Sequence, residues 1–297
     1  MNTSLDLLIL AALVGELALA GINSMAHCLR TRGVGMKSIL AACGLSIPVW
    51  IIMLACQSGA IVLPWQYIVA VLVWMGLSYG LTIGTRFSVG TQGLSEGMAL
   101  RFVFAAVFAV LADCIVFGAQ YSPALMTTIG LFFVGGVLVH LPRFKLELKS
   151  GKLVKVQYKL AFAAGIALAE IAAFSLFKYG ASLQVTPYAN VAVFMLLSSL
   201  MYLFFGAKAL KHDKKTGYMS LCAIGGFAVL AAVAWTAGGV ALAGMPVALF
   251  AMFTLVRGAW FAMCDMKSGT VVFNPVSAVG IIFVILGLLS TLMITGF

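Results

Sequence analysis

The stretch Ala167-Leu168-Ala169-Glu170-Ile171-Ala172-Ala173-Phe174-Ser175-Leu176-Phe177-Lys178 decides how the chain is read. It contains no Gly or Pro to interrupt a helix, and it lies in an apolar run over 158–179. At 1.5 Å rise per residue, such a run crosses a bilayer. A carboxylate at that depth costs about 2.5–3.5 kcal/mol on insertion scales, so it marks a functional or partnered position. Glu170 is therefore the first candidate site residue. An earlier stretch, Leu13-Val14-Gly15-Glu16-Leu17-Ala18, places a second carboxylate in the same setting.

The rest of the chain has the same character. It is 63% hydrophobic and 9% charged, with a mean hydropathy of +1.14, whereas soluble domains carry about 25% charged residues. Apolar segments fall near 5–27, 38–57, 64–85, 100–119, 123–142, 158–179, 187–206, 217–238, 243–263 and 271–294. The sequence thus predicts an all-α polytopic membrane protein of ten transmembrane helices, with no room for a sizeable soluble domain. The net charge of +10 is placed unevenly. Odd-numbered connections hold Arg30, Arg32, Lys37 and Arg86, then the cluster Arg143, Lys145, Lys149, Lys152, Lys155 and Lys159, and later Lys208, Lys211, Lys214, Lys215 and Lys267. Even-numbered connections hold only Lys178. This positive-inside bias predicts a multi-pass protein of a bacterial plasma (inner) membrane with both termini extracytoplasmic. It makes the basic charge a topology signal rather than a nucleic-acid site, with headgroup contact in the lipid bilayer as the one further reading.

The first segment lacks a basic n-region and carries Asp6 and Glu16, so it reads as a mature span rather than a signal peptide. Six cysteines form no CxxC pair and read as buried small hydrophobes. No Walker-type glycine-lysine run occurs, and the three histidines stand apart. Neither an enzyme nor a cofactor or metal is expected.

The basic segment divides the chain, and the second half resembles the first. Glu170 lies 154 positions after Glu16, while Asp265 and Pro275 lie 152 positions after Asp113 and Pro123. The expected organisation is a five-helix repeat over 1–142, a basic cytoplasmic linker over 143–159 and a second repeat over 160–297. An odd number of spans per copy turns the copies over, giving the inverted repeats of secondary transporters, which bind substrate near the midplane.

Within this frame Glu16, Asn23, Ser24 and His27 share one face of helix 1. Asn23 reads as packing glue or cavity lining, and His27 as an inner-end residue. Trp65 and Tyr67 read as an interfacial belt. Trp74 and Tyr79 lie deeper and read first as ordinary bundle packing, with a cation-binding aromatic wall as the functional reading, in which Tyr202 and Trp260 from helices 7 and 9 would join them. Gly76, Gly80 and Gly84 predict a tight helix contact. Trp235 and Gly238-Gly239 are expected to end helix 8, and Asn274-Pro275 to cap helix 10. Asp113 and Asp265 sit toward span ends, where water satisfies them, which makes them secondary candidates. Arg257, eight residues before Asp265, is expected to reach the inner interface.

The run from Ala167 to Lys178 resembles the first helix of the small multidrug resistance transporters, where a glutamate in an Ala-Glu-(Val/Ile) context is followed eight residues later by a lysine. Phe117-Gly118 through Pro123 and Ile129-Gly130 to Gly136-Val137-Leu138 is similar to the last two helices of that family, with its Phe-Gly turn, proline and glycine-containing final span. Together the matches cover about a third of the chain. Ten spans in two halves resemble the duplicated five-span members of the drug/metabolite transporter superfamily. Those members usually keep both termini in the cytoplasm, unlike the charge bias here. The resemblance implies a shared site for proton and cationic substrate at Glu170 and, through the repeat, Glu16.

Taken together, the expectation is a proton-coupled secondary transporter of a small organic cation or amine-bearing metabolite, working by alternating access. Glu16, Glu170, Asn23, Trp74, Tyr79, Tyr202 and Trp260 form the expected site, and a homodimer is allowed. The alternatives are a transporter of a neutral, anionic or lipid-linked substrate, with the glutamates as polar pairs, or a non-transporting membrane subunit.

Overall fold

The computed structural model describes residues 5–56, 63–84, 96–149, 153–183, 185–212, 221–267 and 274–293. Every regular element among them is helical: α1 (Leu5–Thr31), α2 (Met36–Gly44), α3 (Ile47–Ala55), α4 (Trp65–Gly84), α5 (Glu96–Val116), α6 (Pro123–Lys149), α7 (Leu153–Ser182), α8 (Pro187–His212), α9 (Leu221–Gly244), α10 (Val247–Met252), α11 (Thr254–Lys267) and α12 (Pro275–Met293). Within the described residues each predicted span is largely helical. Five stretches, Asp6–Leu29, Lys37–Ala55, Ala163–Ser182, Pro187–Lys208 and Ile224–Gly244, are long and apolar enough to cross a bilayer, and five shorter apolar helices accompany them. The chain is an α-helical membrane protein.

The helix ends have local causes. Asn274 accepts the Val276 amide through its side chain (2.9 Å) just ahead of Pro275, as expected of a cap. Between α5 and α6, Gly118 takes a φ of +61°, a conformation glycine adopts without a Cβ penalty. Two predicted spans are interrupted. The second splits at Leu45-Ser46, next to Pro48 in the first turn of α3; proline lacks an amide and disfavours helix in the residue before it. The ninth splits at Phe253, where the Thr254 hydroxyl bonds back to the Ala251 carbonyl (2.7 Å). The eighth departs from expectation, because α9 runs through Gly238-Gly239 to Gly244. Those glycines permit close packing instead. A Cβ at Gly15 of α1 would lie 3.2 Å from the Gly238 amide nitrogen, and one at Gly239 only 2.4 Å from Val191 of α8.

The chain forms two compact units. The first comprises Met1–Leu10, Phe87–Ile171 and Gly244–Phe297; the second comprises Ala11–Arg86 and Ala172–Ala243. Each draws helices from both halves of the sequence. In the first unit α6 and α12 pack antiparallel. Thr128 meets Ser290 through their hydroxyls (2.6 Å), Phe132 lies against Gly287, and Gly135 lies against Val284. Further along, the Ser277 hydroxyl donates to the Val139 carbonyl (2.9 Å). In the second unit α2 and α3 pack antiparallel to α8: Gly206 lies on Ala41, Gly44 on Leu203 and on the Ser199 carbonyl, and the Ser46 and Ser199 hydroxyls are 3.2 Å apart. Trp50, fully buried, donates its indole N–H to Ser46 (2.8 Å).

Two surface expectations change. Trp65 is exposed as expected, but Tyr67 is buried and donates its hydroxyl to Asn190. Gly76 and Gly80 mark no helix contact, since a Cβ at either would meet nothing within 4 Å. Gly84 ends α4, and its side-chain environment lies outside the described residues.

Candidate functional site

Glu170 lies on α7 in the first unit, and both its oxygens are held by arginines. Oε1 accepts from Arg257 Nη2 at 2.7 Å. Oε2 accepts from Arg101 Nε at 2.8 Å and lies 2.7 Å from Arg101 Nη2. Arg101 comes from the second turn of α5, and Arg257 from the first turn of α11, directly after the break at Phe253. The arms differ in exposure: the Arg101 side chain keeps 22%, Glu170 10% and Arg257 4%. Charge-assisted Arg–carboxylate bonds of this length are among the strong protein hydrogen bonds. Two guanidiniums around one carboxylate leave the triad with one net positive charge.

This corrects the expectation for Arg257, which sits buried on Glu170 rather than at an interface. Asp265 is eight residues away along the helix, but the required carboxylate comes from α7 instead. Arg101 was absent from the predicted set. Its signal was available: a lone arginine inside the apolar run 100–119 needs an acidic partner.

Asp113 is also corrected. It is fully buried, and protein groups rather than water satisfy it. The Val247 and Ala248 amides of α10 donate to its two oxygens at 3.0 and 2.7 Å, and the Tyr121 hydroxyl donates at 2.9 Å. Asp113 therefore caps the short helix that leads into α11 and Arg257. Burial, reinforced by the Asp113 carboxylate, pushes the Tyr121 hydroxyl well above the usual tyrosine range, so it stays a donor.

In the second unit Asn190 is buried, accepting from Tyr67 and donating to the Phe177 carbonyl at 2.8 Å. Gly180 makes room for it, since a Cβ there would lie 2.5 Å from its amide nitrogen. The predicted wall residue Trp74 is half-buried with its ring 4.7 Å from that of Phe194, which packs on Phe177 at 4.4 Å; Trp235 stacks on Phe177 at 5.6 Å. Glu16 is fully buried on α1 in this unit, beside Gly15, which lies against α9. The predicted twins thus belong to different units. Asn23 and Tyr202 are half-buried, also in the second unit, and Trp260 is 41% exposed on α11. Tyr79 and Asp265 lie on helices, with their side chains outside the described residues. Among the described residues no cluster of His, Cys, Asp or Glu is placed to hold a metal.

The sequence matches no protein-family model and no curated protein. It is similar to a solved structure described only as "Crystal structure of protein", with a TM-score of 0.61 and 14% identity over 96% of this chain and 99% of that one. At that identity the likeness establishes the fold alone.

Proposed function

We propose that the protein is a secondary transporter whose substrate carries an anionic group, bound at the Arg101–Glu170–Arg257 triad. The observation that carries this is a mostly buried triad in which one carboxylate already has two guanidinium partners. An organic cation brought there would face two like charges at short range in a medium of low dielectric. A carboxylate or phosphate would be attracted, and the planar arginine fork suits either. Of the functions expected from the sequence, transport of an anionic metabolite therefore fits the triad better than transport of an amine.

The architecture supports a transporter over a passive subunit. The 152-residue offset pairs the predicted fifth and tenth spans, α6 and α12, and these pack on each other antiparallel. Val284 and Gly287 lie 152 positions after Phe132 and Gly135, so the contact of Phe132 with Gly287 mirrors that of Gly135 with Val284. That is the arrangement an inverted repeat gives near its axis. Interrupted helices, here α2–α3 and α10–α11, are also how such proteins build sites within the membrane, and α11 supplies Arg257. A duplicated relative of the drug/metabolite transporters, in a bacterial inner membrane and coupled to protons, is the reading that joins these features.

Thermal unfolding of the solubilised protein against carboxylates, phosphates, amines and sugars tests the proposal. A true ligand at a hundredfold excess over its Kd stabilises by about 2.7 kcal/mol. An anion is expected to raise the transition in wild type and to lose that effect in Arg101→Gln. Stabilisation by amines alone would sink the proposal.

A further inference from the structure

We infer that Arg101 is the arm of the triad that an anionic substrate takes, and that Glu170, once displaced from it, takes up a proton, so that anion and proton load together. This rests on the reading of the triad as an anion site.

The two arms are built differently. Arg101 aims Nε and Nη2 at one oxygen, Oε2, and keeps 22% of its side chain exposed. Arg257 holds the other oxygen through Nη2, and its side chain is 4% exposed. An approaching anion meets Arg101 first, and a carboxylate or phosphate oxygen can replace Oε2 on the same fork. Arg257 is almost wholly buried against Oε1, so it stays there and keeps Glu170 in place.

Displacement leaves Oε2 beside the newly bound anion and without its arginine. Two carboxylates sharing one site do not both remain ionised readily. The charged groups acting on Glu170 are Arg101 from α5 and Arg257 from α11, and Lys178 stands eight residues further along α7. Arginine does not release its proton in proteins, so Glu170 is the triad member that exchanges one. The step balances: the Arg101–Oε2 bonds break, Arg101–anion bonds form, and a proton from water joins Oε2, which can then donate to the anion. One negative and one positive charge enter, so the net charge of the site is the same empty and loaded. A glutamate alternating between proton and cation gives exchange; this arrangement gives symport.

Potassium formate, the smallest carboxylate that fits the fork, is the probe. Added at matched pH to the full-length protein in weakly buffered medium with an indicator dye, it is expected to cause uptake approaching one proton per chain at saturation, and none in Arg101→Gln or Glu170→Gln. In a second arm, Arg101→Glu places a carboxylate beside Glu170 permanently. Its infrared spectrum in lipid bilayers is expected to gain a protonated-carboxyl carbonyl band over wild type at neutral pH, a gain lost in the Arg101→Glu, Glu170→Gln double variant. Formate binding without proton uptake, proton release, or no formate binding at any concentration overturns the inference; if Arg101→Glu does not insert, the formate arm decides alone. Anion stabilisation without proton uptake would fail only the coupling, whereas stabilisation by amines alone would fail the anion site beneath it.

Discussion

At the scale of single residues, the unequal burial of the two arginines has an energetic consequence. Removing one partner of a buried ion pair leaves an uncompensated charge and costs about 3–5 kcal/mol. Here each carboxylate oxygen has its own arginine, so Arg257→Met leaves Glu170 paired with Arg101 and should cost less than that, about the 1.5–3 kcal/mol of a charged hydrogen bond, while Arg101→Met, at a site 22% exposed, should cost less still. Chemical unfolding in detergent would rank them, and equal losses would contradict the division into anchor and arm. In the second unit, Tyr67→Phe removes the hydroxyl that Asn190 accepts. Hydrogen bonds between membrane helices average about 0.6 and reach about 1.7 kcal/mol, so a loss in that range is expected from the same measurement. Glu170 was legible in the sequence because a lone carboxylate in an apolar run has few innocent explanations. Its partners were not, because they lie 69 and 87 positions away and nothing local ties an arginine on one span to a glutamate on another. Asn190 and Tyr67 look unremarkable for the same reason: a buried polar pair is visible only once both members are placed.

At the scale of helices, composition predicted existence better than contact. Every apolar segment became helix, because length and hydropathy are properties of one segment. Which glycines matter depends on what lies opposite them. The regular Gly76 and Gly80 spacing looks like a packing stripe but faces open space, whereas Gly135 and Gly280 bring α6 and α12 into contact. A Cβ on Gly280 would lie 2.5 Å from the Val139 amide nitrogen and 2.8 Å from the Gly135 carbonyl oxygen. Backbone atoms cannot rotate away, so Gly280→Ala should destabilise by about 1–3 kcal/mol, as overpacking does. Gly76→Ala and Gly80→Ala should be neutral or gain up to about 1 kcal/mol from helix propensity. Thermal unfolding of the three variants checks the contrast. The interruption ahead of α11 was likewise invisible in an unbroken apolar run, and so was the role of Asp113, which looked like a solvated span-end carboxylate. Asp113→Ala removes the acceptor for two α10 amides. It should cost about 0.5–2 kcal/mol, the usual range for a lost cap.

At the scale of the molecule, the two halves of the sequence and the compact units cut the chain differently. A duplication suggests two five-helix bodies that could each stand alone. In the first unit, however, α6 from the first half packs on α12 from the second, and in the second unit α2 and α3 from the first half pack on α8 from the second. A Cβ at Gly135, Gly280, Gly44 or Gly206 would lie under 3.0 Å from backbone atoms of the opposite half. Such approaches do not transfer to lipid, whose chains cannot reproduce a backbone fitted against a missing side chain. A half expressed alone therefore has its tightest surfaces bare in both units. The connection between the halves, by contrast, lies in the basic segment 143–159, which carries six Lys and Arg residues. Dividing the chain after residue 150 should yield two fragments that are each degraded or aggregated alone, but that copurify through a tag on either one when produced together. The rejoined pair should unfold within a few degrees of the intact chain. A stable, monodisperse single half would contradict this, because its glycine-lined faces would then need no partner from the other half.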